Sequence, residues 1–181
     1  MASEDLTSVI FNSGRLVKNP TNLALAYPYG GTELGLARDV VVVPSQLKVE
    51  LTAEEFGRIT VDVVDVGRSW VLGCNLRGWD NDAINTIFPG VVSSGAGIKD
   101  TLTAQRGGAL LSSRSCKLLF VPDDTTNHRM VYLYRALPLV DESAELALQL
   151  ANEHLIPCIF MAIPDTSGRI YSQELLSALV L

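Results

Sequence analysis

Charged side chains are scarce in this chain, at 19% of its 181 residues against about 25% in an average globular protein. Apolar residues reach 48%. Such a surplus is buried either in a large core or against other subunits, because exposed apolar patches usually mark contacts. A chain of this length can bury roughly 70% of its unfolded surface, so we expect one domain over residues 1–181.

Basic residues are too few for a protein that holds nucleic acid tightly. The net charge is −6, whereas phosphate binding requires clustered lysine and arginine. The acidic balance does not exclude DNA that moves past without binding, because like charge lowers adhesion.

The residue types of metal and nucleophile sites are also sparse. Cys74, Cys116 and Cys158 lack CxxC spacing and lie in apolar segments, where a thiol is inert. His128 and His154 have no second histidine or cysteine at ligand spacing. We therefore expect no metal, no cofactor and no enzyme active site.

Long apolar runs are missing as well. No stretch reaches the roughly 18 apolar residues of a membrane span. Acidic residues stand at the N-terminus where a signal peptide has basic ones. These features predict a soluble protein, made in the cytoplasm of its producing cell, with no membrane partner.

Strand signals are plentiful. Apolar and polar residues alternate with period two through Gln46–Thr52, Arg58–Val63 and, with one exception at Val71, Ser69–Arg77. Such alternation predicts strands with one buried face. Gly67-Arg68 suits a two-residue type II′ hairpin turn between the last two strands.

The five residues Ala53–Gly57 predict a longer hairpin loop. A symmetric register there pairs Val49 with Val61, and a shift of two residues pairs Glu50 with Arg58 instead. Both registers place opposite charges across the strands, so the sequence leaves them open.

A short helix follows over Asn81–Phe88. Asp80 is a good N-cap, and Trp79 and Ile84 have the spacing of a hydrophobic staple. Pro89-Gly90 ends the helix. Its apolar stripe should pack on the sheet. The stripe comprises Ala83, Ile84, Ile87 and Phe88.

The second half again predicts strands, over Lys117–Val121, Arg129–Leu137, Glu145–Ala151 and Ile156–Ile163. Helix remains an alternative for Glu145–Ala151, because its residue types favour helices. The expected fold is mainly β: an antiparallel β-sandwich or barrel with one short flanking α-helix and long assembly loops.

Two long stretches lack periodicity: Asn19–Arg38 and Val91–Gly108. Loops of this length inside a compact domain usually have a function. Both are apolar rather than charged, which favours docking onto a neighbouring subunit. The candidate subunit-interface residues are Tyr27, Tyr29, Leu34, Leu36, Ile98 and Leu102.

The order of elements resembles that of the tail tube proteins of long-tailed bacteriophages. The likeness spans about residues 40–170: a strand meander, then Leu76–Asp80 leading into a short helix, then a long loop. Met130–Leu139 and Ile159–Thr166 are also similar.

This resemblance implies a virion protein assembled in the host cytoplasm. Its subunits would form hexameric rings that stack into a hollow tube, through which DNA passes on ejection. The implied partners are further copies, a tape-measure protein, baseplate and tail terminator proteins, and sheath in a contractile tail. Family members join rings through a long hairpin or loop and an N-terminal arm; the candidates here are residues 19–38, 1–12 and 91–108.

Two other functions remain open from the sequence. The first is another ring-forming tail or neck component, or a secretion-system tube. The second is a monomeric β-sandwich binding module, for example for carbohydrate.

Overall fold

The computed structural model describes residues 13–53, 59–77, 81–87, 91–93, 100–102, 111–126, 128–139 and 155–175. Strands dominate this part of the chain. They are β1 Ser13–Lys18, β2 Thr32–Ala53, β3 Ile59–Arg77, β4 Val91–Ser93, β5 Asp100–Leu102, β6 Cys116–Pro122, β7 Met130–Leu139, β8 Leu155–Ala162 and β9 Tyr171–Glu174. Helix α1 spans Asn81–Ile87, and a 3₁₀ turn spans Leu111–Arg114.

Six strands close into an antiparallel barrel. The order is β6-β1-β2-β3-β8-β7, and a further pairing of β6 with β7 completes the ring. Strand β9 adds to the edge of β7, while β4 and β5 form a separate two-stranded sheet. The predicted fold class, mainly β with a flanking helix, is confirmed.

Alternating residues of the strands fill the barrel interior. Leu72 and Leu76 of β3 face Phe160 and Ile156 of β8 directly, and all four side chains are fully buried. The interior is thus a packed apolar core, as expected of a small barrel.

A second apolar cluster lies on the outside of the barrel. Residues 19–31, which we call the covering loop, fold back over β1, β6 and β7 and seat Tyr29 against them. This cluster explains why β6 and β7 are apolar on both faces. Its buried members are Val17, Tyr29, Leu119, Val121, Met130 and Tyr132.

The prediction that Asn19–Arg38 is an irregular assembly loop is therefore corrected. Its first part covers the subunit's own barrel, and residues 32–38 begin β2. The hydrophobic partner of the covering loop is distant in sequence, so no local periodicity marks it.

Two irregularities bend β2 around the barrel. Gly35, at a φ of +126°, and Asp39, at a φ of +53°, each lie where the ladder of β2 shifts register. Each extra residue resets the alternation, so that Leu34, Ala37 and Val40 all face the core. The Asp39 carboxylate accepts a hydrogen bond from the Asn75 amide at 3.0 Å, across the second bulge.

The structure corrects the predicted turn at Gly67-Arg68. Strand β3 runs through both residues, and β2 pairs with it from Leu36 to Ala53. The observed register joins Val49 to Val64 and Glu50 to Val63, so neither predicted register is right. Bulges between Leu47 and Lys48 and between Leu51 and Thr52 displace the ladder.

Helix α1 confirms the predicted one within the described residues. Ala83 and Ile87 are buried in the barrel core, and Ile84 is 5% exposed. The Lys18 ammonium of β1 donates a hydrogen bond to the Thr86 hydroxyl at 2.9 Å and ties the helix to the barrel. The predicted N-cap and staple, Asp80 and Trp79, lie outside the described residues.

The remaining strand predictions are confirmed in part. Those over Lys117–Val121, Arg129–Leu137 and Ile156–Ile163 are confirmed as β6, β7 and β8. Strands β1 and β9 and the short β4–β5 pair were missed. Glu145–Ala151 and the N-terminal arm 1–12 lie outside the described residues.

Gly14 supplies a test of barrel packing. A Cβ at Gly14 would lie 2.4 Å from the Val121 carbonyl oxygen and 2.6 Å from the Phe120 ring. We expect Gly14→Ala to cost about 1–3 kcal/mol of unfolding free energy, measured by thermal or urea unfolding. Gly73→Ala, where nothing lies within 4 Å, is the matched control and should be neutral or slightly stabilising. Equal stability of the two variants would contradict this packing.

Candidate assembly surface

Within the described residues, the β2–β3 pair extends beyond the barrel as a two-stranded ribbon. Strand β1 pairs with β2 only up to Arg38, and β8 pairs with β3 only from Trp70 onward. Among the strands that the structure describes, residues 41–53 of β2 therefore pair only with β3, and residues 59–69 of β3 pair only with β2. We call this segment the projecting hairpin. At roughly 3.3 Å per residue its longer strand reaches about 40 Å.

One face of the projecting hairpin carries a row of exposed apolar side chains. Residues directly opposite in an antiparallel pair share a face, and Val43 lies opposite Val71 and Val49 opposite Val64. Exposure here is about half, for example 47% at Val49 and 48% at Leu51. We call this set the outer stripe: Val41, Val43, Val49, Leu51 and Val64.

Exposed apolar side chains concentrate on this hairpin. Among the described residues, the large apolar side chains that are most exposed elsewhere are Leu25 of the covering loop and Leu36 of β2. A sheet face of this kind marks a contact surface. The structure describes no further strand along either edge of this ribbon, and an open strand edge can pair with another strand.

The opposite face of the hairpin forms a groove at its base. The groove encloses about 450 Å³ and is lined by Pro44, Gln46, Arg68 and Trp70. The Trp70 ring stacks on Tyr171, with centroids 4.5 Å apart and planes at 2°. One face of the indole is thus already covered by the chain's own side chain.

A basic row crosses the outside of the barrel next to the covering loop. Arg15 of β1 lies directly opposite Leu36 of β2, and Leu36 directly opposite Arg77 of β3. We call these three residues the arginine row. The Arg15 guanidinium lies 3.3 Å from the Glu33 carboxylate and 5.3 Å from the centre of the Tyr27 ring. Burial, together with the nearby negative charge of Glu33, raises the pKa of Tyr27 to about 12, so its hydroxyl stays neutral.

The structure separates the predicted interface residues. Tyr29 and Leu34 are only 7% and 2% exposed because their own chain covers them, which corrects their assignment to contacts with a neighbour. Tyr27 is half-buried, and Leu36 is 39% exposed in the arginine row. Leu102 lies in β5 and Ile98 outside the described residues, and both stay predictions.

The outer stripe lies outside the interface residues predicted from the sequence. Its signal was present, because the alternation through Leu47, Val49 and Leu51 marks an apolar face. Such alternation predicts a buried face, whereas Val49 and Leu51 are about half exposed.

The three cysteine thiols are buried. Cys74 lies directly opposite Cys158 inside the barrel, and hydrogen bonding to Cys158, together with burial, raises the pKa of Cys74. Burial also raises the pKa of Cys116. A thiol held neutral in this way is a poor nucleophile.

Acidic turn residues have structural partners. The Asp165 carboxylate accepts hydrogen bonds from the backbone N–H groups of Ser167 and Arg169 at 2.9 and 2.8 Å. Asp124 accepts one from the Thr126 backbone at 3.0 Å. Both carboxylates therefore stabilise turns of the backbone. Within the described ranges, no cluster of three or more histidine, cysteine or acidic residues could hold a metal ion.

No helix in the described part of the chain is long and apolar enough to cross a membrane. Comparison of the chain with known protein families and with curated protein sequences finds no match.

Proposed function

We propose that this protein is the tail tube subunit of a long-tailed bacteriophage. Its copies form rings, hexameric by the resemblance, that stack into a hollow conduit for DNA ejection. The observation that carries the proposal is the projecting hairpin, whose outer stripe is half-exposed on an otherwise well-packed barrel.

The exposed stripe favours association energetically. Full burial of a valine or leucine side chain contributes about 1.5–3 kcal/mol, so covering the exposed half contributes about 1 kcal/mol each. Five such residues give on the order of 5 kcal/mol per hairpin before the cost of association. A ring that places several hairpins at once multiplies this gain.

The shape of the hairpin favours an open-ended polymer. Beyond the Pro44–Trp70 pair the hairpin extends roughly 35 Å from its own barrel, far enough that it can contact a surface different from itself. Such a heterologous contact generates a closed ring or an unlimited stack, depending on the rotation between copies. In a tube, copies close into rings and the rings form an unlimited stack.

The charge balance suits a conduit. A net charge of −6 lowers adhesion of DNA to the wall while it passes. The proposed partners are further copies, a tape-measure protein along the lumen, baseplate and tail terminator proteins at the ends, and sheath if the tail contracts.

Electron microscopy of the purified protein, with sedimentation over a range of concentrations, tests this function. Long tubes of constant diameter are expected. Isolated rings that never stack would assign the protein to another ring-forming tail, neck or secretion component. A monomer at every concentration would overturn assembly and favour a binding module.

A further inference from the structure

We propose that the distal outer stripe of one subunit docks on the arginine row of a second copy. The proposal rests on the proposed function, since stacked rings bring the two surfaces together. It assigns to the hairpin one acceptor site, defined by Arg15, Leu36 and Arg77.

The distal stripe combines apolar and acidic groups. Val49 lies opposite Val64, and Leu51 lies opposite Asp62, so the carboxylate shares the face of these apolar side chains. Asp62 is exposed, and its carboxylate accepts a hydrogen bond from the Val63 backbone N–H at 2.7 Å. The surface is therefore apolar with an acid beside Leu51.

The arginine row has the complementary composition. Leu36 is exposed and stands between two arginines that are also exposed, in one line across three strands. The next line on the same face adds Arg38, between Ser13 and Asn75. Three arginines therefore stand around this apolar centre in a chain of net charge −6, and one of them, Arg15, is paired with Glu33.

The two surfaces are complementary in their apolar groups and in their charges. Leu51 can pack on Leu36 while Asp62 meets an arginine, which gives an apolar contact with a charge-assisted hydrogen bond at its edge. Electrostatic complementarity of this kind fixes register between copies.

The occupant of the arginine row belongs to another chain. Leu51 and Leu36 are separated by an extended segment of the same strand, roughly 50 Å long at 3.3 Å per residue. The hairpin cannot fold back onto the row without breaking its own ladder. A short basic row centred on an exposed leucine also suits an apolar–acidic partner better than a phosphate backbone.

Cysteine cross-linking tests the contact. Leu36→Cys and Leu51→Cys are made separately, and the three native cysteines are buried. The two variants are mixed and oxidised with diamide, which takes up the two hydrogen atoms as the thiols form a disulfide. A disulfide-linked dimer is expected in the mixture and not with either variant alone. Val63→Cys, on the opposite hairpin face, is the control and should not cross-link to Leu36→Cys.

Charge reversal provides a second readout. We expect Asp62→Arg and Arg77→Glu each to slow tube formation, followed by light scattering, by at least about tenfold. The double variant should recover to within about threefold of the natural protein, because it restores an opposite-charge pair.

The outcomes separate the two proposals. Tubes that form without the Leu36–Leu51 cross-link, and without recovery in the double variant, overturn the docking and leave the proposed function standing. Absence of tubes from the natural protein overturns the proposed function itself. A short DNA duplex that binds the natural protein and is lost on Arg77→Glu, with assembly unchanged, would assign the row to nucleic acid instead.

Discussion

Replacing residues 46–68 by Asn-Gly should yield a subunit that folds normally and forms no tubes. Ser45 and Ser69 lie directly opposite each other, so a two-residue type I′ turn can join them without changing the barrel. Among the removed residues whose side chains the structure describes, none belongs to either buried cluster. The melting temperature should change by no more than about 4 °C, while electron microscopy should show only small particles.

A full-length control separates the side chains of the outer stripe from the length of the hairpin. Val49→Ser with Leu51→Ser keeps the ribbon and removes most of its distal apolar surface. We expect tubes to be shorter or absent, with an unchanged melting temperature. Normal tubes from the shortened subunit would show that the hairpin does not join copies.

Ile84→Asp should unfold the subunit or lower its unfolding free energy by at least about 3 kcal/mol. Ile84 is 5% exposed on a helix of which the neighbouring residues Ala83 and Ile87 lie in the barrel core. Substitution removes buried apolar volume and places a carboxylate where water has little access. Circular dichroism during thermal or urea unfolding measures the loss.

Asn85→Asp is the matched control for this substitution. It introduces the same residue one position along α1, on the exposed side of the helix. We expect a change within about 0.5 kcal/mol. Equal destabilisation by the two variants would mean that helix propensity, and not the contact with the barrel, governs the effect.

The elements that the sequence predicts well are those with local signals. Helix α1 combines an apolar stripe with a Pro-Gly stop, and β6, β7 and β8 are apolar runs bounded by turn formers. The residues that indicate each of these elements lie within the element itself or directly beside it. No distant partner is needed to recognise it.

The elements that were missed or misplaced depend on distant partners. Gly67-Arg68 has the composition of a turn, yet β2 pairs along the whole of β3 and keeps both residues extended. The covering loop lacks periodicity because Tyr29 fits a surface made by β1, β6 and β7.

The candidate interface could likewise be predicted from the sequence only in its local features. Alternation in Gln46–Thr52 correctly indicates a strand with one apolar face. Periodicity cannot tell whether that face is covered by the same chain or by another copy. Only the end of the β1 and β8 ladders, at Arg38 and Trp70, reveals that the strand has left its own barrel.

The side chains that fill the barrel carry one further consequence for a tail tube. Phe160, Leu72 and their neighbours pack the barrel interior, so in the proposed tail tube the bore for DNA would be bounded by several subunits. Its calibre is then fixed by how many copies share a ring. Sequence changes at the contacts between copies can widen or narrow the bore while the interior of each subunit stays the same.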